Sequence, residues 1–291
     1  MGSIPEKQGL RSLSALYSNA TLRGILSEGS LCSIKARVSK HKGVLTDSED
    51  AISFGFLMSA LYNTMSTSYC NEYVYKNSIL NKLILKHYRL HTTTLLNEFK
   101  IGKSIADLIL INGEVKLFEL KTELDTLLRL EAQLEDYRKV VEKVYIVVSY
   151  KHIDSIKNRY KDTSFGIIEL TKELELGIHK EAETDKSGFD HTVLFKLLRK
   201  KEYESIIEEA FGTVPQVPNT GRFAACLELL KDIETTEFQR LVFKELKKRK
   251  VSEPDLLLSS NTPEELRFLC HSMDLKPSQY RVLFNLLSQT L

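Results

Sequence analysis

The spacing of hydrophobic residues changes from helical to strand-like near residue 92. Ile79, Leu80, Leu83 and Ile84 recur at helical spacing, which predicts an amphipathic helix over residues 71–88. Three strand-like runs follow, at 92–100, 105–112 and 114–121. The second run, ADLILI, is almost continuously apolar, as is typical of a strand covered on both faces. Asn112-Gly113 then predicts a hairpin turn, because both residues tolerate positive φ.

Further helices and strands are predicted beyond this hairpin. An apolar stripe formed by Leu127, Leu130, Leu134 and Val141 predicts a helix over 125–142. The remaining predicted elements are a strand at 143–149, a helix at 153–160, and strands at 164–170 and 174–181. The order αβββαβ, followed by more αβ elements, indicates an α/β fold with a mixed sheet over residues 71–181.

The regions on either side of this core are predicted to be mostly helical. They are residues 1–70 and 182–291, with a Pro- and Gly-rich linker or domain boundary at 212–221. Within the second region, Thr262-Pro263-Glu264-Glu265 has the pattern of a helix capping box, and 278–290 is the last predicted helix.

Composition and charge indicate which classes of protein the chain can belong to. The chain has 291 residues, of which 42% are hydrophobic and 27% charged, as in ordinary globular proteins. It has neither an apolar run long enough to span a membrane nor an apolar signal core, so we expect a cytoplasmic protein without a membrane partner. The net charge of +2 means that any nucleic-acid surface must come from local patches.

The sequence Glu-x-Lys occurs at least four times, and only its context separates the copies. They are Glu98/Lys100, Glu114/Lys116, Glu119/Lys121 and Glu245/Lys247. Glu119 and Lys121 end a predicted strand and share a face, because side chains two residues apart in a strand point the same way. Pairing across the hairpin places Asp107 opposite residue 118, within one residue of register, and therefore beside Glu119. Two such carboxylates suit a hard divalent cation such as Mg²⁺.

These motifs resemble the PD-(D/E)XK nuclease superfamily, with A-D-L-I-L at 106–110 and F-E-L-K at 118–121. Gln133 and Tyr137, four residues apart on the next helix, resemble the Q-x-x-x-Y helix of its RecB-like branch. Over 71–149 the chain is also similar to an uncharacterised bacterial family of that superfamily. One departure is that Ala106, and not proline, precedes Asp107.

The resemblance implies a restriction-endonuclease-like core and a catalytic role for each matched residue. Asp107, Glu119 and the backbone carbonyl of Leu120 would bind Mg²⁺ or Mn²⁺, with Glu72 contributing to a second metal or holding a water. Lys121 would orient or deprotonate the attacking water. Gln133 and Tyr137 would position the scissile strand.

Each of these residues also has a structural interpretation. Asp107, Glu119 and Lys121 are also explained by a surface hairpin with accidental charges, and Gln133 and Tyr137 by an ordinary helix face. Glu72 is equally well explained as an acid near a helix N-terminus, and Glu98 competes with it for the third acidic role. The cations of 244–250 suit either a solvated helix end or a DNA-contacting patch.

The predicted function is a Mg²⁺-dependent nuclease, with DNA as the expected substrate, in repair, mobile-element biology or phage defence. One alternative is a catalytically inactive nucleic-acid-binding or scaffold protein that retains the fold, and another is an RNA-directed toxin nuclease. The C-terminal helices are left open as a contact region for a second copy or a partner protein.

Overall fold

A computed structural model describes residues 4–41 and 52–291 as a six-stranded mixed sheet with helices on both faces. Residues 1–3 and 42–51 of the predicted N-terminal helical region lie outside the described residues. The strands are β1 (Thr94–Ile101), β2 (Ser104–Asn112), β3 (Glu114–Lys121), β4 (Lys143–Ser149), β5 (Gly166–Leu170) and β6 (Leu176–Lys180), in the order β1-β2-β3-β4-β5-β6. The mixed α/β class predicted from the sequence is confirmed.

The α-helices of the described residues precede, connect and follow the strands. They are α1 (Ile4–Ser14), α2 (Asn19–Glu28), α3 (Cys32–His41), α4 (Phe54–Ser68), α5 (Glu72–Ser78), α6 (Leu85–His87), α7 (Leu130–Tyr137), α8 (Ile153–Tyr160), α9 (His191–Phe195), α10 (Lys200–Phe211), α11 (Asn219–Leu230), α12 (Thr235–Leu246), α13 (Pro254–Leu258), α14 (Arg267–Met273) and α15 (Pro277–Ser288). Within the described ranges, none of the helices is long and apolar enough to cross a membrane.

The strands pair in a mixed pattern that brings the predicted motif strands to the inside of the sheet. β1 to β3 pair antiparallel, β3 to β5 pair parallel, and β6 returns antiparallel to β5. The parallel pairs need crossover connections, which α7 and α8 provide. β3, which carries Glu119 and Lys121, is therefore covered by neighbours on both edges.

The hairpin between β2 and β3 decides which side chains face each other. Asn112 lies opposite Glu114, and Leu108 lies opposite Phe118. The register thus differs by one residue from the predicted one, because Gly113, at φ 77°, turns the chain alone. Continuing this register places Asp107 opposite Glu119. Since opposite residues in antiparallel strands share a face, the shift puts both carboxylates on one side of the sheet.

The predicted helix over residues 71–88 forms, but its middle segment is a π-helix, which has a larger radius than an α-helix. Asn71 caps its start by accepting a hydrogen bond from the Val74 amide, and residues Ile79–Ile84 form a π-helical segment between α5 and α6. The segment lets Ile79, Leu80 and Ile84 all pack against the sheet. π-helical turns occur frequently at functional sites, and this one directly follows the turns that carry Glu72.

The predicted helix 125–142 is shorter in the structure, where α7 covers Leu130–Tyr137. Before it, the Asp125 carboxylate accepts hydrogen bonds from both the amide and the hydroxyl of Thr122, which fixes a turn. This local bonding competes with helix formation, as is usual for Asp and Thr. α7 still packs its apolar side against the face of the sheet that carries Asp107 and Glu119.

The flanking helices form two cores. α9 to α12 pack on the sheet face beside α7, and the surface segment 212–218 joins α10 to α11, with Val214 packed against that core. The N-terminal helices share a separate core with α13 to α15. The predicted capping box at Thr262 is wrong, because its hydroxyl donates to the Leu256 carbonyl, and a short 3₁₀ turn begins at Glu264.

His271 on α14 makes the stability of this second core sensitive to acid. Burial lowers the pKa of His271 to about 4, below its usual value near 6.5. Below pH 6.5 the unfolded chain therefore takes up a proton that the folded chain refuses until about pH 4. We expect this group to remove up to about 3 kcal/mol of stability across that window.

The variant His271→Leu isolates this contribution. Its free energy of unfolding, measured in urea from pH 7 to pH 4, should fall less steeply with acid than that of wild type. Parallel pH profiles for the two proteins would show that His271 is not the group responsible.

Candidate active site

The site is built on the central hairpin and on the helices that cover its two faces. Glu119 is almost completely buried, with 1% of its surface exposed, and Asp107 lies across from it on β2. An Oδ2 atom of Asp107 accepts a 2.8 Å hydrogen bond from the amide of Leu120. This bond fixes the Asp107 carboxylate against the strand that carries Glu119.

Lys121 completes the site from the same strand as Glu119. Its ammonium donates to Glu119 Oε1 at 2.6 Å and to Gln133 Oε1 at 2.9 Å. The Tyr137 hydroxyl lies 2.7 Å from Glu119 Oε2 and 2.8 Å from the Ile105 carbonyl oxygen, and it can donate its hydrogen bond to either atom. The structure thus joins four of the predicted site residues, Glu119, Lys121, Gln133 and Tyr137, in one hydrogen-bonded network. A buried network with all its partners present rigidifies the groups it joins.

The carboxylates of Glu119, which is buried, and Asp107, which is mostly buried, repel each other. Burial raises the pKa of Asp107, and repulsion from Glu119 adds to the increase, whereas the Leu120 amide opposes it. Burial likewise raises the pKa of Tyr137, so its hydroxyl stays a donor at neutral pH. A divalent cation between the two carboxylates would relieve the repulsion. The chemistry of these oxygen donors fits Mg²⁺ or Mn²⁺.

Glu72 and Glu98, the two candidates for the third acidic role, both lie at the edge of this site. Each contacts the ammonium of Lys76, at 2.5 Å for Glu72 and 3.4 Å for Glu98, and Asp107 Oδ1 lies 3.9 Å from it. Sequence reasoning missed Lys76. Its only signal was the Glu-to-Lys spacing of four residues, which favours an ion pair along a helix.

The described residues bring together only part of the set of acidic side chains that a metal site would need. Among residues 4–41 and 52–291, no three His, Cys, Asp or Glu side chains come together closely enough to hold an ion alone. Asp107 and Glu119 are the pair that fits, and the assignments of the Leu120 carbonyl and Glu72 as metal ligands stay predictions.

A cleft of about 870 Å³ opens over the site between the β1–β2 turn and α7. Asp107 and Gln133 lie in its wall, and the exposed cations Lys103 and Arg129 also line it. Within the described residues no ion pair involves Lys103 or Arg129, whereas Lys139, which also lines the cleft, pairs with Asp136. The cleft therefore combines an acidic floor with free positive charge.

The basic helix end at 244–250 is less available than its sequence suggests. Lys244 pairs with Glu209, Lys248 with Glu245, and Arg249 with Glu202. These pairs neutralise much of the local charge, so the cleft cations are the better candidates for phosphate contact.

Asp136, next to Tyr137 in the motif helix, holds the wall of the cleft. Its Oδ2 atom accepts hydrogen bonds from the amide of Lys103 at 3.0 Å and the hydroxyl of Ser104 at 2.9 Å. These bonds tie α7 to the β1–β2 turn. Gly102 lies in that turn at φ 59°, and a Cβ added there would come within 2.8 Å of Asp136 Oδ1.

Gly102→Ala should therefore destabilise the protein more than Gly113→Ala. Both glycines have positive φ, but a Cβ at Gly113 meets no atom within 4 Å. Backbone strain costs about 1–2 kcal/mol at either position, and losing a hydrogen bond of Asp136 adds about 1 kcal/mol at Gly102 only. Urea unfolding of the two variants gives the difference directly. Equal losses would mean that the Asp136 contact contributes nothing.

One protein-family model matches the part of the chain that contains the sheet and the candidate site. The family is described as bacteriophage P4 protein cII, and the match covers residues 65–270 of 291. The chain belongs to the bacteriophage P4 protein cII family. The cII match includes every strand of the sheet and every side chain of the site from Glu72 to Tyr137.

A curated cII protein gives a more limited match. Protein cII of Enterobacteria phage P4 is 30% identical over 101 residues, which are 34% of this chain and 34% of that protein. The matched segment thus spans about a third of the length of that cII protein. No solved structure matches the chain.

Proposed function

We propose that the protein is a metal-dependent nuclease of the PD-(D/E)XK type that hydrolyses phosphodiester bonds in DNA, on a restriction-endonuclease-like core. The observation that carries the proposal is the placement of Lys121. Its ammonium is held between Glu119 and Gln133, on the face of the sheet that Asp107 shares. Asp107 and Gln133, which line the cleft, connect this buried pair to it.

Asp107 and Glu119 would hold the cation. Bound there, Mg²⁺ or Mn²⁺ would acidify a water molecule and offset negative charge on the phosphate. Glu119 meanwhile orients the Lys121 ammonium, and the Tyr137 hydroxyl fixes the second oxygen of Glu119.

Lys121 acts mainly as charge builds up during the reaction. A positioned ammonium in a buried site stabilises negative charge more strongly than one in water, because the site needs no reorganisation. Gln133 holds that ammonium in place from α7, which leaves Lys121 little freedom to turn away.

Charge in the cleft supports a nucleic-acid substrate. Lys103 and Arg129 flank the acidic floor, where they can contact phosphates on either side of the scissile bond. The match to a phage P4 protein favours a mobile-element setting over repair or phage defence.

The experiment is a cleavage panel with the purified full chain. Labelled single-stranded DNA, double-stranded DNA and RNA are incubated with Mg²⁺, Mn²⁺, Ca²⁺ or EDTA. We expect DNA cleavage in Mg²⁺ or Mn²⁺ and none in EDTA. Binding without cleavage in every metal would favour the inactive DNA-binding protein, and cleavage of RNA alone would favour the toxin nuclease.

A further inference from the structure

Lys76 is a buried ammonium beside the part of the cleft wall that Glu72, Glu98 and Asp107 form. Only 3% of its surface is exposed, and its Nζ atom contacts three carboxylates, those of Glu72, Glu98 and Asp107. Two of the three belong to elements other than its own helix. A buried charge is costly unless it is paired, so this set of contacts is what allows Lys76 to stay charged in its position.

The surrounding helices hold Lys76 in place. Asn77, its buried neighbour, accepts a hydrogen bond from the Phe268 amide and donates one to the Tyr62 hydroxyl. These bonds join α5 to α14 and α4. The ring of Phe268 lies 5.9 Å from the Lys76 ammonium, within reach of a cation–π interaction. Lys76 is therefore part of a rigid wall and not a mobile surface lysine.

We propose that the Lys76 ammonium is a resident cation in the position where a second divalent ion would otherwise bind. The site then takes one metal ion, between Asp107 and Glu119, while Glu72 and Glu98 serve to hold Lys76. This inference rests on the proposed nuclease function, because it assumes the first metal. Lys76 is a positioning residue that fixes the number of ions the site accepts.

The balance of charge supports a single ion. A bound cation would keep Asp107 ionised, so the metal-bound site would have four carboxylates (Glu72, Glu98, Asp107 and Glu119) and two ammonium groups (Lys76 and Lys121). One divalent cation makes this set neutral, and a second would leave an excess of two positive charges. Without Lys76, the three carboxylates around it lose their shared counter-ion and provide oxygen ligands that suit a hard cation.

Calorimetric titration of the full chain with Mn²⁺ tests the proposal. We expect one Mn²⁺ per chain for wild type and two for Lys76→Met, whose side chain has similar length but no charge. Lys76→Arg keeps the positive charge, so it should bind one. The matched control is Lys82→Met, since Lys82 lies on the same continuous helix but pairs with Glu175 away from the site. It should also bind one.

The outcomes separate this inference from the proposed function. Two ions in wild type, or one ion in Lys76→Met with unchanged affinity, would overturn the role of Lys76 and leave the nuclease intact. No Mn²⁺ binding by wild type would instead contradict the proposed function itself. If Lys76→Met does not fold, Lys76→Gln provides the second neutral variant, for which the same rise from one ion to two is expected.

Discussion

Lys121→Met should lower the rate of DNA cleavage by about a hundredfold to a thousandfold, the usual effect of removing one electrostatic donor from an active site. DNA binding measured in Ca²⁺ should stay close to that of wild type, because the ammonium acts chiefly on charge that develops during the reaction. The substitution leaves Glu119 buried without its cation, so a lower melting temperature is expected as well.

Lys116→Met is the matched control for this variant. Lys116 lies on the same strand, but its ammonium bonds to the Tyr88 hydroxyl and pairs with Glu114, away from Asp107 and Glu119. Its cleavage rate should equal that of wild type. If Lys121→Met lost binding and cleavage equally, Lys121 would be a phosphate contact and not a catalytic residue.

Asp107→Asn should abolish cleavage to at least about a thousandfold below wild type. Losing a metal ligand removes several kcal/mol of charge stabilisation, and each 1.36 kcal/mol is worth a factor of ten in rate. A second readout does not depend on activity. Mg²⁺ should raise the melting temperature of wild type, because it binds only the folded chain, and should have little effect on Asp107→Asn.

Glu169→Gln is the control for the second readout. Glu169 also lies in a strand of this sheet, and its side chain is 18% exposed compared with 17% for Asp107, but it pairs with His179. Its melting temperature should rise with Mg²⁺ as in wild type. A normal Mg²⁺ response and normal cleavage in Asp107→Asn would remove Asp107 from the site.

Turn residues and apolar runs in the sequence were enough to predict much of the sheet. The Asn112-Gly113 turn and the apolar runs beside it predicted β2 and β3 to within a residue at each end. The observed register lies one residue from the central prediction and inside its margin of one residue, because the sequence does not show whether one residue or two form the turn. That one residue matters, since a single slip would place Asp107 and Glu119 on opposite faces of the sheet.

Lys76 and Asp136 were beyond sequence reasoning for a different reason. Lys76 looks like any helix lysine with an acid four residues before it, and its burial depends on Phe268, almost two hundred residues later in the chain. Asp136 was visible within the motif helix, yet its partners in the β1–β2 turn lie more than thirty residues earlier. Long-range packing decides both.

Hydrolysis in H₂¹⁸O is the most direct test of the central claim, that Asp107, Glu119 and Lys121 hydrolyse phosphodiester bonds. Wild type and Lys121→Met are each incubated with a DNA oligonucleotide and Mg²⁺ in labelled water, and the masses of the products are measured by mass spectrometry. We predict one ¹⁸O atom in the terminal phosphate of each wild-type product that ends in a phosphate, no label in the fragment that ends in a hydroxyl, and almost no product from Lys121→Met. Intact DNA after prolonged incubation with wild type, or equal product from both proteins, would contradict the account.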